Sequence, residues 1–209
     1  ASGIVPSAPR RLAMVCTGSE ACAGGEKRYL VFTRPDGAMF PAVLIEPEGA
    51  TIAAVFAGDA GRGEFDWAVE GYLKAKKAVL AVDLSGFGEA GVPDHWYPYG
   101  SENSADGAAV MLNLLGEHLV GHRAAELIGV AARMKERYGS VPELTATGEA
   151  AIPAAHVKAC DPAAYRFITL RRPCASWTEF FRHPELYGMK RFANVVRGAL
   201  LVYDWPELL

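Results

Sequence analysis

The 209-residue chain contains no run of about 18 apolar residues, which excludes a membrane-spanning helix. It also lacks an excess of charge of either sign. Its 21 Lys and Arg stand against 24 Asp and Glu, a net of −3, so nothing electrostatic draws it to nucleic acid or to an acidic membrane surface. Blocks of like charge, low-complexity tracts and internal repeats are missing, which excludes a disordered chain. Cysteines are few: Cys16, Cys22, Cys160 and Cys174. None forms a Cys-x-x-Cys pair, so a cysteine-held zinc ion is not expected. Cys16 and Cys22 are spaced to close a small disulfide loop, but plain buried or free thiols are the favoured reading for all four. The chain opens on Ala1, with neither an initiator Met nor a leader pattern. That is compatible with a removed leader or tag, and a leader would imply a secreted or periplasmic compartment.

Apolar residues make up 51% of the chain, which suits one domain burying roughly 70% of its unfolded surface. Residues 1–26, rich in Ala, Gly, Ser and Pro, read as an arm. Lys27–Arg34 and Phe40–Pro47 read as a hairpin joined by Pro35-Asp36-Gly37, where glycine supplies a positive φ. Thr51–Ala57 and Ala78–Asp83 are continuous apolar runs too short for helices, the pattern of strands buried on both faces. Glu143–Thr147 and Tyr165–Leu170 are further strands.

Helical spacing marks Gly63–Lys77. It recurs within Glu117–Tyr138, where Val120, Ala124, Leu127, Ile128, Ala131 and Met134 form one stripe. Gly148–Ala159 is Ala-rich and helical in pattern, with Pro153 placed uncomfortably far from its first turn. Short helical pieces follow around Trp177–Phe181 and Arg191–Val196. Strands alternating with helices predict an α/β fold, a mostly parallel sheet between two helical layers, entered through an N-terminal antiparallel hairpin.

Four segments then resemble the α/β-hydrolase superfamily. Ala81-Val82-Asp83-Leu84-Ser85-Gly86-Phe87-Gly88-Glu89 is similar to the stretch that follows an early parallel strand of that fold. Gly116 to Arg123 resembles the G-x-x-L-x-G-x-R helix that precedes the nucleophile strand. Leu144–Pro162 resembles the nucleophile strand, its elbow and the following helix. Phe192–Leu200 and Tyr203–Leu208 resemble a stretch of acetyl-xylan-esterase-like bacterial proteins, with Arg197 where that pattern has proline. The likeness spans roughly residues 28–209 and implies a three-layer α/β-hydrolase-type sheet over residues 27–209.

Acyl transfer in that superfamily needs a serine on a G-x-S-x-G elbow, a histidine oriented by an acid, and N–H groups for the oxyanion. Matched residue by residue, the elbow reads Ala146-Thr147-Gly148-Glu149-Ala150, with Gly148 in the serine slot. Glycine accepts the strained turn but cannot attack a carbonyl. Glu149 suits a helix start but would repel an oxyanion. Ala57-Gly58-Asp59 stands where many relatives carry His-Gly. The resemblance places the acid and histidine after the stretch that ends at Leu209, so the sheet is expected to lack its last strands and the triad to be absent.

Other constellations are weaker. His118 and His122 have metal-ligand spacing, but Glu117 is not expected to point the same way, and packed or solvated histidines are favoured. His156 and His183 read the same way. Gly86-Phe87-Gly88 is too short for a phosphate loop, and no cofactor is expected. Ser85, Ser101 and Ser104 fit turns and caps. His95, Trp96, Tyr97 and Tyr99 form an aromatic patch suited to stacking on a sugar or to covering the core.

The expectation is a pseudoenzyme, a non-catalytic binding or structural component. Its ligand-binding candidates are Gly58, Asp59, Ser85, His95, Trp96, Tyr97 and Tyr99, and a carbohydrate or ester is the ligand they would take. The alternative is an acetyl xylan esterase subunit or fragment completed by a partner chain.

Overall fold

The computed structural model describes residues 11–91, 104–184 and 192–209. Seven strands form one sheet: β1 (Ala13–Cys22), β2 (Gly25–Thr33), β3 (Met39–Glu46), β4 (Ala53–Gly58), β5 (Ala78–Val82), β6 (Glu143–Gly148) and β7 (Ile168–Pro173). Their spatial order is β1-β2-β3-β5-β4-β6-β7. β1, β2 and β3 pair antiparallel, as do β3 and β5, whereas β5-β4-β6-β7 are parallel. Within the parallel half, β4 and β5 are the strands read from continuous apolar runs. The helices are α1 (Asp66–Lys74), α2 (Ser104–Leu114), α3 (Leu119–Tyr138), α4 (Ala151–Cys160) and α5 (Trp177–Arg182).

Side-chain alternation sorts the layers. On β4, Ala53, Val55 and Ala57 join a core that includes Ala124, Leu127 and Met134 of α3 and Ala154 and Val157 of α4. Ala54 and Phe56 face the other way, against Phe65 and Ala68. Alternate residues of a strand leave on opposite faces, so α1 covers one face and α3 with α4 the other. The α3 stripe is buried as its spacing predicts, with Val120, Ala124, Leu127, Ala131 and Met134 at 2% exposure or less.

A second core joins α4 and α5 to the C-terminal segment through Ile152, Trp177, Val196, Ala199 and Trp205. Asp204 ties that segment down. Its carboxylate accepts the N–H groups of Trp177 at 2.9 Å, Thr178 at 3.0 Å and Trp205 at 2.8 Å.

The structure departs from the sequence reading at the arm and at Pro153. The stretch read as an arm carries β1, so the hairpin is a three-stranded meander. β1 is an edge strand exposed on nearly every residue, which leaves no apolar alternation to read. Cys16, the fourth residue of β1, and Cys22, its last, are six residues apart along the extended strand, roughly 20 Å and far beyond the reach of a disulfide, in keeping with the favoured thiol reading. Pro153 proves unstrained because α4 starts at Ala151. It is the third residue of the helix, where the N–H has no intrahelical acceptor in any case. The predicted turn is as expected: Gly37 has φ +87° and donates its N–H to Arg34.

Candidate functional site

The carboxyl ends of the parallel strands bring the matched elbow together with the loop after β4. β6 runs into α4 through Thr147-Gly148-Glu149-Ala150, closed by the Ala150 N–H on the Thr147 carbonyl at 3.1 Å. Gly148 sits at φ +55°, the left-handed conformation that a nucleophile elbow demands. The space above it is taken. A Cβ at position 148 would fall 2.8 Å from Asp59 Cγ and 2.9 Å from its Oδ2. Asp59 immediately follows β4, so the loop after β4 puts a carboxylate where a side chain at 148 would stand.

Gly58 is closed in as well, since a Cβ there would meet Glu64, Thr147 and the Phe65 ring. Thr147 Oγ1 donates to Glu64 Oε2 at 2.8 Å, and Arg172 Nη2 reaches Glu64 Oε1 at 2.9 Å. Beyond the elbow, the Cys174 N–H donates to the Gly148 carbonyl at 3.3 Å. Burial, helped by the charges of Glu149 and Asp59, pushes the Cys174 thiol up to about 12. A thiol so far from ionising is a poor substitute nucleophile.

Sequence reasoning missed Glu64, Arg172 and Cys174 at this place. They arrive from the loop before α1 and from the end of β7, and no local spacing marks them.

Ser85 lies on the loop after β5 and is committed elsewhere. Its Oγ donates to Glu126 Oε1 at 2.5 Å and its N–H to Glu126 Oε2 at 3.0 Å. Glu126 is fully buried and also pairs with Arg34 at 3.1 Å. One turn earlier on α3, Arg123 is fully buried too. It donates to the Ser85 carbonyl at 2.8 Å and to Asn194 Oδ1 at 3.0 Å, and stacks 3.7 Å from the Phe87 ring centre. Burial lowers its guanidinium to about 10 against the pull of Glu149, Glu126, Asp106 and Asp59. This arginine, matched in sequence to the helix before the nucleophile strand, locks the loop after β5 to the C-terminal segment.

Asp83, at the end of β5, is buried with Oδ2 accepting the Glu89 N–H and facing Arg62 Nε, each at 3.1 Å. Burial pushes its carboxyl upward despite those partners.

Each described histidine has a named polar neighbour. His156, on the elbow helix, donates from Nδ1 to the Ile152 carbonyl and accepts from the Tyr203 hydroxyl at Nε2, and burial lowers its pKa. His118 Nδ1 lies 2.8 Å from Asn113 Oδ1. His122 Nε2 is 2.6 Å from Glu117 Oε2, a contact the helical reading of Glu117 disallowed. Because α3 begins at Leu119, Glu117 is outside the helix and can swing to His122. His183 approaches Glu179 at 4.0 Å. Among the described residues no group of three or more His, Cys, Asp or Glu could hold a metal ion. His95, Trp96, Tyr97, Tyr99 and Ser101 lie outside the described residues. Of the sequence candidates, the structure therefore brings Gly58 and Asp59 together at the elbow and ties Ser85 to Glu126.

No family model and no curated protein matches the sequence. Solved structures do match the fold. A Bacteroides fragilis protein assigned as an acetyl xylan esterase superposes with a TM-score of 0.62 at 19% identity, covering 78% of this chain and 48% of the other. Acetyl xylan esterase 1 from Thermoanaerobacterium sp. gives 0.62 at 16% identity, covering 90% and 64%. An acetyl xylan esterase from Paenibacillus sp. gives 0.57 at 14% identity, covering 88% and 59%. The chain thus spans about half to two thirds of the length of these neighbours. It has the α/β-hydrolase fold, in the form shared by these acetyl xylan esterases.

Proposed function

We propose that the protein is a non-catalytic member of the esterase-like α/β hydrolases, a binding or structural component that keeps the elbow's shape without its chemistry. One observation carries this reading: Gly148 holds the elbow's φ of +55° while the Asp59 carboxylate fills the place of the missing side chain. An anion there opposes the negative charge that develops on an ester carbonyl, where a working site concentrates N–H donors. The Cys174 thiol, pushed up to about 12, and His156, with both ring nitrogens occupied, support the same reading. Gly58 and Asp59 then belong to a ligand-facing floor at the elbow.

The test is hydrolysis of p-nitrophenyl acetate. The expected rate equals that of buffer containing an inert protein. Turnover above that level, abolished by substitution of one residue of this chain, would overturn the reading.

A second reading is favoured by β7, which pairs only with β6 among the described residues and leaves one edge of the sheet open. In it, the sheet that begins with β1 is an incomplete domain, a carbohydrate esterase subunit whose remaining strands come from a partner chain or a longer precursor. Native mass spectrometry separates the two. The second reading requires a hetero-complex on co-expression with its partner, whereas a soluble folded monomer of this chain's own mass counts against it.

A further inference from the structure

On the sheet face that carries α1, two guanidiniums from consecutive residues converge on one short segment. Arg171 stacks over Trp67, its guanidinium carbon 3.9 Å from the ring centre, and Arg172 pairs with Glu64 at 2.9 Å. In an extended strand, neighbouring side chains leave on opposite faces. Here that alternation fails because Arg172 adopts φ +46°, and the ladder to β6 slips at the same point, with Arg171 opposite Thr147 and Pro173 opposite Gly148. A positive φ at a non-glycine residue is strained, and strain of this kind concentrates at binding sites. The strained residue is also exposed: the Arg172 side chain is 81% accessible and Trp67 58%.

We propose that Trp67, Arg171 and Arg172 form a binding site for a uronate pyranoside, a sugar ring bearing one carboxylate. Beside the Arg171 guanidinium the indole stays 58% exposed, and that uncovered part is a rigid apolar surface on which a pyranose can lie with its carboxylate toward Arg171. Arg171 is fixed against the indole and has no carboxylate partner among the described residues, so its fork of donors is available to a carboxylate. Glu64 neutralises Arg172, which leaves one uncompensated positive charge and so matches a monoanion better than a phosphate. Glu64 also accepts from Thr147, so this surface is joined to the elbow through Arg172, Glu64 and Thr147.

The site deepens the binding-component reading and rests on it for its purpose. Its test is separate, because ester hydrolysis would sink that reading and leave this binding measurable.

The experiment is an NMR titration of the whole chain with methyl β-D-glucuronide and, in parallel, methyl β-D-glucoside, which differs in the carboxylate. The expected result is a shift of the Trp67 indole N–H with a Kd of about 1 to 10 mM for the glucuronide and at least tenfold weaker binding of the glucoside. Arg171→Gln should remove the glucuronide's advantage and leave the glucoside unchanged. Trp67→Ala, at an exposed position, should weaken both sugars in a chain that stays folded. Equal binding of the two sugars, retention of the advantage in Arg171→Gln, or no shift of the Trp67 indole at concentrations well past that range would overturn the proposal.

Discussion

At the scale of single residues, Gly148 and Asp59 act as one unit. Asp59 occupies the volume that a side chain at 148 needs, and the backbone at 148 has the left-handed φ that glycine accepts without cost. Gly148→Ser must therefore rotate Asp59 away and place an L-residue at positive φ. The expected cost is about 1 to 3 kcal/mol, read from urea unfolding. Asp59→Gly removes the obstructing carboxylate, so the double substitution should cost less than the sum of the singles, a coupling of about 1 kcal/mol. Strict additivity would mean that the two side chains do not compete for the same space. The glycine in the serine slot was legible in the sequence because a motif fixes the spacing within one turn. Asp59 as its occupant was not, since a contact between the ends of two different strands has no sequence period.

At the scale of elements, the fold is held at its functional edge by buried charges. Glu126 on α3 fastens the loop after β5 through Ser85 and the hairpin through Arg34. Glu126→Ala leaves Arg34 without its buried partner and the Ser85 N–H unpaired. The expected loss is about 3 to 5 kcal/mol, measurable by denaturant unfolding. A loss below 1 kcal/mol would mean that the network is incidental.

Asp204 plays the corresponding part for α5 and the C-terminal segment. Burial pushes its carboxyl upward, but the N–H groups of Thr178, Trp177 and Trp205 outweigh burial and hold it below its ordinary 3.8. A carboxyl whose folded pKa lies below its unfolded one contributes stability that is fully present above the unfolded value. That contribution is lost as pH falls through the folded value. Asp204→Ala should therefore cost about 1 kcal/mol at pH 7, and the cost should shrink as pH falls below 3.8, read from unfolding free energies along a pH series. A pH-independent loss would assign the effect to packing instead of charge.

The elements themselves divide by legibility. Parallel strands β4 and β5 announce themselves as short apolar runs because both faces are buried, and α3 because one stripe is. β1 is silent because it is exposed on both faces, and the start of α3 was misplaced by two residues because His118 and Glu117 carry no capping signal.

At the scale of the whole molecule, the layered sheet is that of an α/β hydrolase, and the proposed loss of chemistry at the elbow rests on the Asp59 carboxylate that the loop after β4 brings there. A scaffold hosts many sites and the site decides the activity. The candidate site lies at the carboxyl ends of the parallel strands, where open α/β sheets bind their ligands. The composition of its floor, with Glu64, Arg172 and Cys174, depends on how β7 and the loop before α1 meet, which only the assembled molecule fixes.

The central claim is that the elbow survives as shape without chemistry. Its most direct test is p-nitrophenyl acetate hydrolysis by the Gly148→Ser chain beside the unaltered one. Both are expected to remain at the background rate, because a serine at 148 meets the Asp59 carboxylate and finds no described histidine poised to take its proton. A rise of about a hundredfold or more in the variant, the contribution expected of an activated nucleophile with its base, would contradict the account.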